Sequence, residues 1–434
     1  MTVLAPVLRV MAEGPSSPQR GVAADRLSAL ARHSTSALGP IAVSAAHFVA
    51  ALIFLHTLPR VAFGLFSFVL VLVPFSMSMC GAMFAAPLAR SARTGVVSEA
   101  DTFTYLKTNA AFAVLAGLAI AGLMAASGAN AVLAVLFGFY GCAMVLRWFA
   151  RNYAYVTRKL YRALASDLAY SLLLVTGLGA LVATHFVTAP NGAAMLLLAG
   201  VAAVAPFGAN FLRKQVVALF AGRITGYRDI WRDLSRWSLL GVVMSEMCAN
   251  AHAYLVTFIS GPHAFAVLAV GSLLMRPVSL ILSALPDVER PLMAQELANH
   301  GPLGALRIVK EFRTAAGAIW LVTIVLSAAL LTWFPHLLIK KDYALTDVVW
   351  VLVLSSGIMA LRSLRTPESV LLQAAGEFRK LAVAGAWAAG TTVVATIVLL
   401  LTIGPVAALG GILLGDLVLT GRVFALARAW KLQQ

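Results

Sequence analysis

The chain has 434 residues, 61% of them hydrophobic and 12% charged, with a mean hydropathy of +0.90 and a formal net charge of +16. That balance excludes a soluble domain of this length. The basic residues are spread over many separate segments instead of forming one patch, which excludes a nucleic-acid surface and leaves a multi-pass membrane protein.

Residues 1–36 are polar, Ser-rich and Arg-bearing, and no small-residue cleavage pattern follows at signal-peptide distance. They read as a mostly disordered cytoplasmic tail with a short surface helix near Gly21 to His33, where Ala, Leu and Arg alternate at helical spacing. A spanning helix needs about 20 apolar residues, and about twelve such stretches follow. They lie at 37–58, 61–86, 107–127, 130–150, 164–185, 192–211, 238–259, 264–285, 314–337, 346–375, 378–403 and 405–427.

The connections alternate sharply in charge. Pro59 and Arg60, Ser127 to Ala129, Thr184 to Asn191, Gly261 to His263 and Ile403 to Pro405 carry almost none, and only Lys340 and Lys341 add to that side. The other side carries the tail arginines, Arg90 and Arg93, then Arg158, Lys159 and Arg162, the run from Arg213 to Arg236, and Arg307, Lys310 and Arg313. Lysine and arginine concentrate on the cytoplasmic side of short loops, so both termini are expected in the cytoplasm of a bacterial inner membrane. The same residues would attract anionic membrane lipids. Cys80, Cys142 and Cys248 fall inside spans with no spacing motif, so neither a disulfide framework nor a metal site is implied.

An internal repeat organises the spans. Pro59, Pro74 and Ser76 recur as Pro262, Pro277 and Ser279 at a constant offset of 203 residues. Six helices separate the copies, so the repeats are expected to be parallel, related by an axis along the membrane normal. The expected fold is an all-α polytopic membrane protein of about twelve transmembrane helices in two six-helix bundles. The bundles would occupy 37–220 and 237–434, joined by a basic cytoplasmic linker at 221–236, with a cavity between them. Pro74, Pro277 and Pro367 fall within spans, as tolerated kinks or as hinges.

Charge inside the spans carries the functional signal. Arg276 lies about twelve residues, roughly 18 Å, into its apolar run, and Arg362 and Arg365 interrupt another. An arginine at helix centre costs roughly 2.5 to 3.5 kcal/mol to insert, so it normally faces a watery cavity and marks the path of something anionic. Arg362 and Arg365 share a helix face, as do Arg147 and Arg151, and guanidinium grips phosphate oxygens with paired hydrogen bonds. These five form the expected basic cavity. Glu246, Asp416 and Asp167 are candidates for ion coupling or for pairing with a lumenal arginine. Asn250, His252 and Glu368 are expected as cavity polar groups, with Glu368 one turn beyond Arg365 as a neutralising partner. His47 and His56 read as structural.

Several segments resemble polysaccharide flippases of the multidrug/oligosaccharidyl-lipid/polysaccharide exporter superfamily. The run Leu58-Pro59-Arg60-Val61-Ala62-Phe63-Gly64-Leu65-Phe66 is similar to that family's first outer hairpin, with Arg60 and Val61 in place of its usual acidic turn. Leu239 to Asn250 followed by Gly261 and Pro262 is similar to its second-half opening. Leu371 to Arg379 and Gly404 to Gly410 are similar to its tenth-span exit and final hairpin. The resemblance implies transport of an undecaprenyl-diphosphate-linked oligosaccharide from the inner to the outer leaflet by alternating access, in surface or exopolysaccharide biosynthesis. It implies no cofactor and no covalent chemistry. Proton and sodium both stay open as coupling ions, and other polysaccharide assembly proteins are the further partners to expect. Two rivals stand beside it. A cation-coupled multidrug exporter of the same superfamily would need acidic surfaces, and a membrane glycosyltransferase or polymer ligase would need a large outer loop.

Overall fold

The computed structural model describes residues 20–93, 98–334 and 343–433; side chains 20–37 are not among the described ones, and the hairpin lysines Lys340 and Lys341 lie outside. The described residues are helical, with no strands. Thirteen helices organise them: α1 Arg20–Thr57, α2 Arg60–Cys80, α3 Glu99–Ala126, α4 Ala131–Val156, α5 Leu160–Ala183, α6 Ala189–Ala202 and α7 Ala209–Ala221 form the first half. The second half holds α8 Arg236–Ile259, α9 Pro262–Leu274, α10 Arg276–Trp333, α11 Leu345–Ala374, α12 Phe378–Thr402 and α13 Ala408–Leu432. Counting by length and apolarity, 11 helices can cross a membrane, or 12 if the bent pair α9 and the start of α10 is one span.

Helix starts follow local chemistry. Ser98 accepts from the Asp101 amide while the Asp101 carboxylate accepts from the Ser98 amide, a reciprocal cap that opens α3. Asn130 caps α4 through the Leu133 amide at 2.9 Å, and Thr188 caps α6. Two expectations about boundaries are corrected. The tail is helical from Arg20, which takes in the surface helix expected near Gly21 to His33, but that helix runs directly into the first span instead of ending before it. The expected loop between 285 and 314 is helical on both sides of a kink: the stretch numbered α10 is two helices that meet at Gly301, at φ 68° and ψ −161°, and the second carries Arg307, Lys310 and Arg313. Charged side chains there alternate with the buried Val309, Phe312 and Ala316, so the stretch is amphipathic and buries one stripe. The linker region adds a short helix, Tyr227–Ile230, and a π turn, Trp231–Ser235. Tyr227 donates to Ser235 Oγ at 2.8 Å and packs on Phe84 and Tyr105, tying the second half's entry to the first half.

Uncharged hairpins lie at one end of the helices and basic connections at the other; these ends are called the hairpin face and the basic face below. The core is distributed unequally between them. Toward the hairpin face one apolar cluster contains both halves, with Phe63, Phe66 and Phe68 of α2 against Phe265, Leu268 and Val270 of α9 and Val351 of α11. Toward the basic face it splits in two. Cys80, Phe84, Tyr105, Phe149 and Tyr227 form one cluster, and Met293, Phe312, Leu371, Val423 and Trp430 form the other. The halves are therefore joined at the hairpin face and separately packed at the basic face.

Candidate functional site

The seal between the halves is built where the sequence repeat comes together. Gly64 of α2 faces Pro262 at the start of α9; a Cβ there would lie 1.9 Å from the Pro262 carbonyl oxygen. Only a residue without a side chain lets the two backbones approach this closely. Arg60 Nε donates to the His263 carbonyl at 2.8 Å, and its guanidinium lies 5.1 Å from the centre of the Tyr343 ring. Arg60 and His263 are separated by the repeat offset, so equivalent positions of the two halves meet at the pseudo-symmetry axis. The sequence marks Arg60 only as a hairpin residue. The available signal was its standing as a cation on an otherwise uncharged side.

Beneath this seal lie the charged side chains. Leu274 ends α9 and Arg276 begins α10 across a 64° bend. Pro277 sits in the first turn of α10, where its missing N–H costs no hydrogen bond, so proline and bend coincide. Pro74 and Pro367 instead lie inside α2 and α11, which run as uninterrupted helices. Arg276 is half-buried and its Nε donates to Ser44 Oγ of α1 at 3.2 Å, crossing from one half to the other. No carboxylate pairs with Arg276 among the described residues.

The other four arginines are each tied to an aspartate. In the first half, Arg147 Nη2 donates to Asp167 Oδ1 at 2.5 Å and Arg151 Nε to Asp167 Oδ2 at 3.0 Å. Arg147 also donates to Ser166 at 3.0 Å and lies over the Tyr170 ring, and Arg151 reaches the Tyr155 hydroxyl at 2.8 Å. Arg147 and Arg151 are 3% and 7% exposed, so they are sequestered inside the bundle and do not line an open cavity. This corrects their assignment as cavity residues: burying Arg147 and Arg151 without Asp167 would leave two uncompensated charges. In the second half, Arg362 Nε donates to Asp416 Oδ2 at 2.9 Å and Arg365 Nη1 donates to Asp416 Oδ1. Both arginines lie within α11 and retain 21% and 14% side-chain exposure. The fourth span of each half thus carries two arginines held by one aspartate from a neighbouring helix. Two guanidiniums against one carboxylate leave each cluster with an excess positive charge.

Glu368 is 1% exposed and pairs with Arg313 of α10, so Asp416, not Glu368, neutralises Arg365. Glu246 accepts from Tyr254 at 2.6 Å and Asn250 at 3.1 Å along one face of α8. Tyr254 meets Phe68 and Phe75 edge-on, which places that face against α2 at the seam. His252 is buried near Phe265, its Nδ1 without a hydrogen-bond partner among the described residues. His47, one turn past Ser44, bonds Tyr170 at 2.7 Å, and Tyr170 bonds Tyr140 at 2.9 Å. Contacts therefore run continuously from Arg276 through α1 to the Arg147 cluster. No group of His, Cys, Asp or Glu among the described residues could hold a metal.

No protein-family model matches this chain, and no curated protein matches it. Among solved structures it is similar to an inward-facing multidrug-resistance MATE family transporter of the MOP superfamily, at 16% identity over 89% of this chain and 94% of that one, TM-score 0.68. It is similar to an outward-facing conformation of such a transporter at 17% identity over 92% and 94%, TM-score 0.61. A third neighbour is a MOP superfamily transporter from Pyrococcus furiosus whose binding pocket is described as of reverse polarity, suggesting a different function. That one is 15% identical over 92% and 95%, TM-score 0.57. These likenesses establish the fold: two repeated six-helix halves of the kind seen in these transporters.

Proposed function

We propose that the chain is an alternating-access transporter that moves a lipid-linked oligosaccharide, anionic at its diphosphate, across a bacterial inner membrane with the basic face toward the cytoplasm. Arg276 carries this reading. It is half-buried at the bend between α9 and α10, reaches across the seam to Ser44, and has no carboxylate partner among the described residues. A buried cation without a counter-ion is costly and is tolerated where an anion visits. Arg362 and Arg365, still partly accessible, add to the positive field on the second-half side. A diphosphate supplies several oxygens to such guanidiniums, which stay charged at every relevant pH.

Conformation supports the same reading. Closure at the hairpin face and separate cores at the basic face suit a state that accepts substrate from the basic side, and the inward-facing neighbour superposes with the higher TM-score of the two MATE conformations. Parting of α2 from α9 would then release the headgroup at the hairpin face, the lipid tail remaining in the bilayer.

A multidrug exporter is the second reading, because the first two neighbours are multidrug transporters. Against it stands the charge at the seam, where arginines outnumber aspartates. The two separate in cells lacking the chromosomal copy. Arg276→Ala should accumulate the inner-leaflet lipid-linked precursor at normal protein level, with Arg276→Lys intermediate. Wild-type export in Arg276→Ala, Arg362→Ala and Arg365→Ala alike, or cationic-dye efflux that depends on Glu246, would overturn the proposal.

A further inference from the structure

A pocket separate from the seam lies at the basic end of the first half. It encloses about 90 Å³ between the end of α4, the turn into α5, and the start of α7. Lys159, Arg162 and Lys214 supply positive charge, and Tyr153, Phe207 and Phe211 supply apolar walls. No acidic side chain lines it. The volume suits one phosphate group better than a sugar.

The backbone is shaped to keep a guanidinium there. Arg162 Nη1 donates to the Phe207 carbonyl, and its Nε donates to the Tyr161 hydroxyl at 3.2 Å. Gly208, at φ +87°, follows directly, and a Cβ on it would lie 3.3 Å from Arg162 Nη1. Any other residue would be strained in that conformation and would crowd the guanidinium. Of the three cations, only Lys214 has an acidic neighbour among the described residues, Glu99 at 4.0 Å, and both are solvent-exposed.

A second observation is the depth of the pocket relative to the bilayer. The segment from Ala189 to Phe207 has 19 residues, about 28 Å of helix, enough to cross the hydrocarbon core, so α7 begins at the basic boundary of the bilayer. There α7 lies along the first turns of α3: Gln215 donates to the Leu106 carbonyl, and Gly222 abuts Phe103 and Lys107. The side of α7 turned away from the pocket exposes Leu212, Val216, Leu219 and Phe220, an apolar stripe at helical spacing that ends in a phenylalanine 84% exposed. A helix with an apolar stripe beside basic residues at this depth is built to lie in the interface. We propose that this pocket binds the phosphate of an anionic phospholipid seated at the basic boundary of the bilayer. The site is independent of the transported substrate and lies outside the seam.

Native mass spectrometry of the full-length protein, released from mixed phosphatidylglycerol and phosphatidylcholine, reads retention of each lipid. Wild type should retain phosphatidylglycerol preferentially. Lys159→Ala/Lys214→Ala, which removes two exposed side chains, should weaken that retention about 30-fold, in line with the attraction of basic residues to an anionic surface. Arg213→Ala/Arg228→Ala removes the same charge from outside the pocket and should leave retention within twofold. Equal losses in the two double variants would mean diffuse surface attraction and would overturn the site. Displacement of the lipid by millimolar inorganic phosphate would assign the pocket to free phosphate and overturn the lipid assignment. Unchanged phosphatidylglycerol retention in Lys159→Ala/Lys214→Ala would overturn it directly.

Discussion

Replacing Gly64 with alanine adds one methyl group where two backbones already touch. The new Cβ would lie 1.9 Å from the Pro262 carbonyl oxygen and 2.6 Å from its carbon, against about 3.5 Å for a relaxed non-bonded contact. The obstacle is main chain, so no rotamer change relieves it, and α2 must move from α9 by something on the order of 1.5 Å. Overpacking of this kind costs about 1–3 kcal/mol. The cost falls only on the hairpin-closed state, because the contact is absent once the halves part there, and a state-specific cost becomes a population shift. A differential of about 1–3 kcal/mol corresponds to about 5–150-fold toward the hairpin-open state. Spin labels at Thr57 and Ile259, in a background without Cys80, Cys142 and Cys248, would read the separation of the two hairpins by double electron–electron resonance. Gly64→Ala should broaden and lengthen that distance. Gly179→Ala, a helical glycine with nothing within 4 Å of its Cβ position, should leave it unchanged. A distance distribution identical to the parent's in a folded Gly64→Ala protein would refute the reasoning, since the contact would then not hold the face closed.

Asp167→Asn leaves Arg147 and Arg151 buried without a counter-ion, a loss of about 3–5 kcal/mol, and should lower the melting temperature in detergent more than Asp416→Asn. The reason is that Arg362 and Arg365 keep contact with solvent while Arg147 and Arg151 do not; equal shifts would contradict it. Arg60→Ala removes a hydrogen bond to the His263 carbonyl and a cation–π contact with Tyr343, together about 1–2 kcal/mol, and should lengthen the same hairpin distance as Gly64→Ala. Pro367→Ala, in a helix that is not interrupted, should keep transport and leave stability equal or higher by thermal denaturation, whereas Pro277→Ala, at the bend, should slow transport. Tyr170→Phe, which removes the hydroxyl bonded to both His47 and Tyr140, should cost about 1 kcal/mol in thermal unfolding with expression intact.

The twelve apolar runs, the alternation of basic and uncharged connections, and the two-fold repeat were legible in the chain because each rests on a local rule. A bilayer demands a set number of apolar residues, insertion reads charge on short loops, and the matching prolines recur at a fixed interval. The structure adds what the repeat did not state: Arg60 and His263 stand one offset apart and touch. Where the chain misled was in amphipathic stretches. Arg307, Lys310 and Arg313 looked like loop because charge interrupts them, yet α10 buries Val309 and Phe312 on its other face. Residue identity also placed five arginines in the spans without saying which would be neutralised. That depended on side chains from distant helices: Asp167 of α5 withdraws Arg147 and Arg151 into the bundle, Asp416 of α13 holds Arg362 and Arg365, and Arg313 takes Glu368. Among the described residues Arg276 alone of the five has no carboxylate partner; it stands at the 64° bend and donates to the Ser44 hydroxyl of α1. Hydropathy and charge counts act within about a turn of helix, so the chain by itself set which runs are long and apolar enough to cross and which connections are basic. Pairing acts across tens or hundreds of residues, so only the packed structure decided which positive charges stay available.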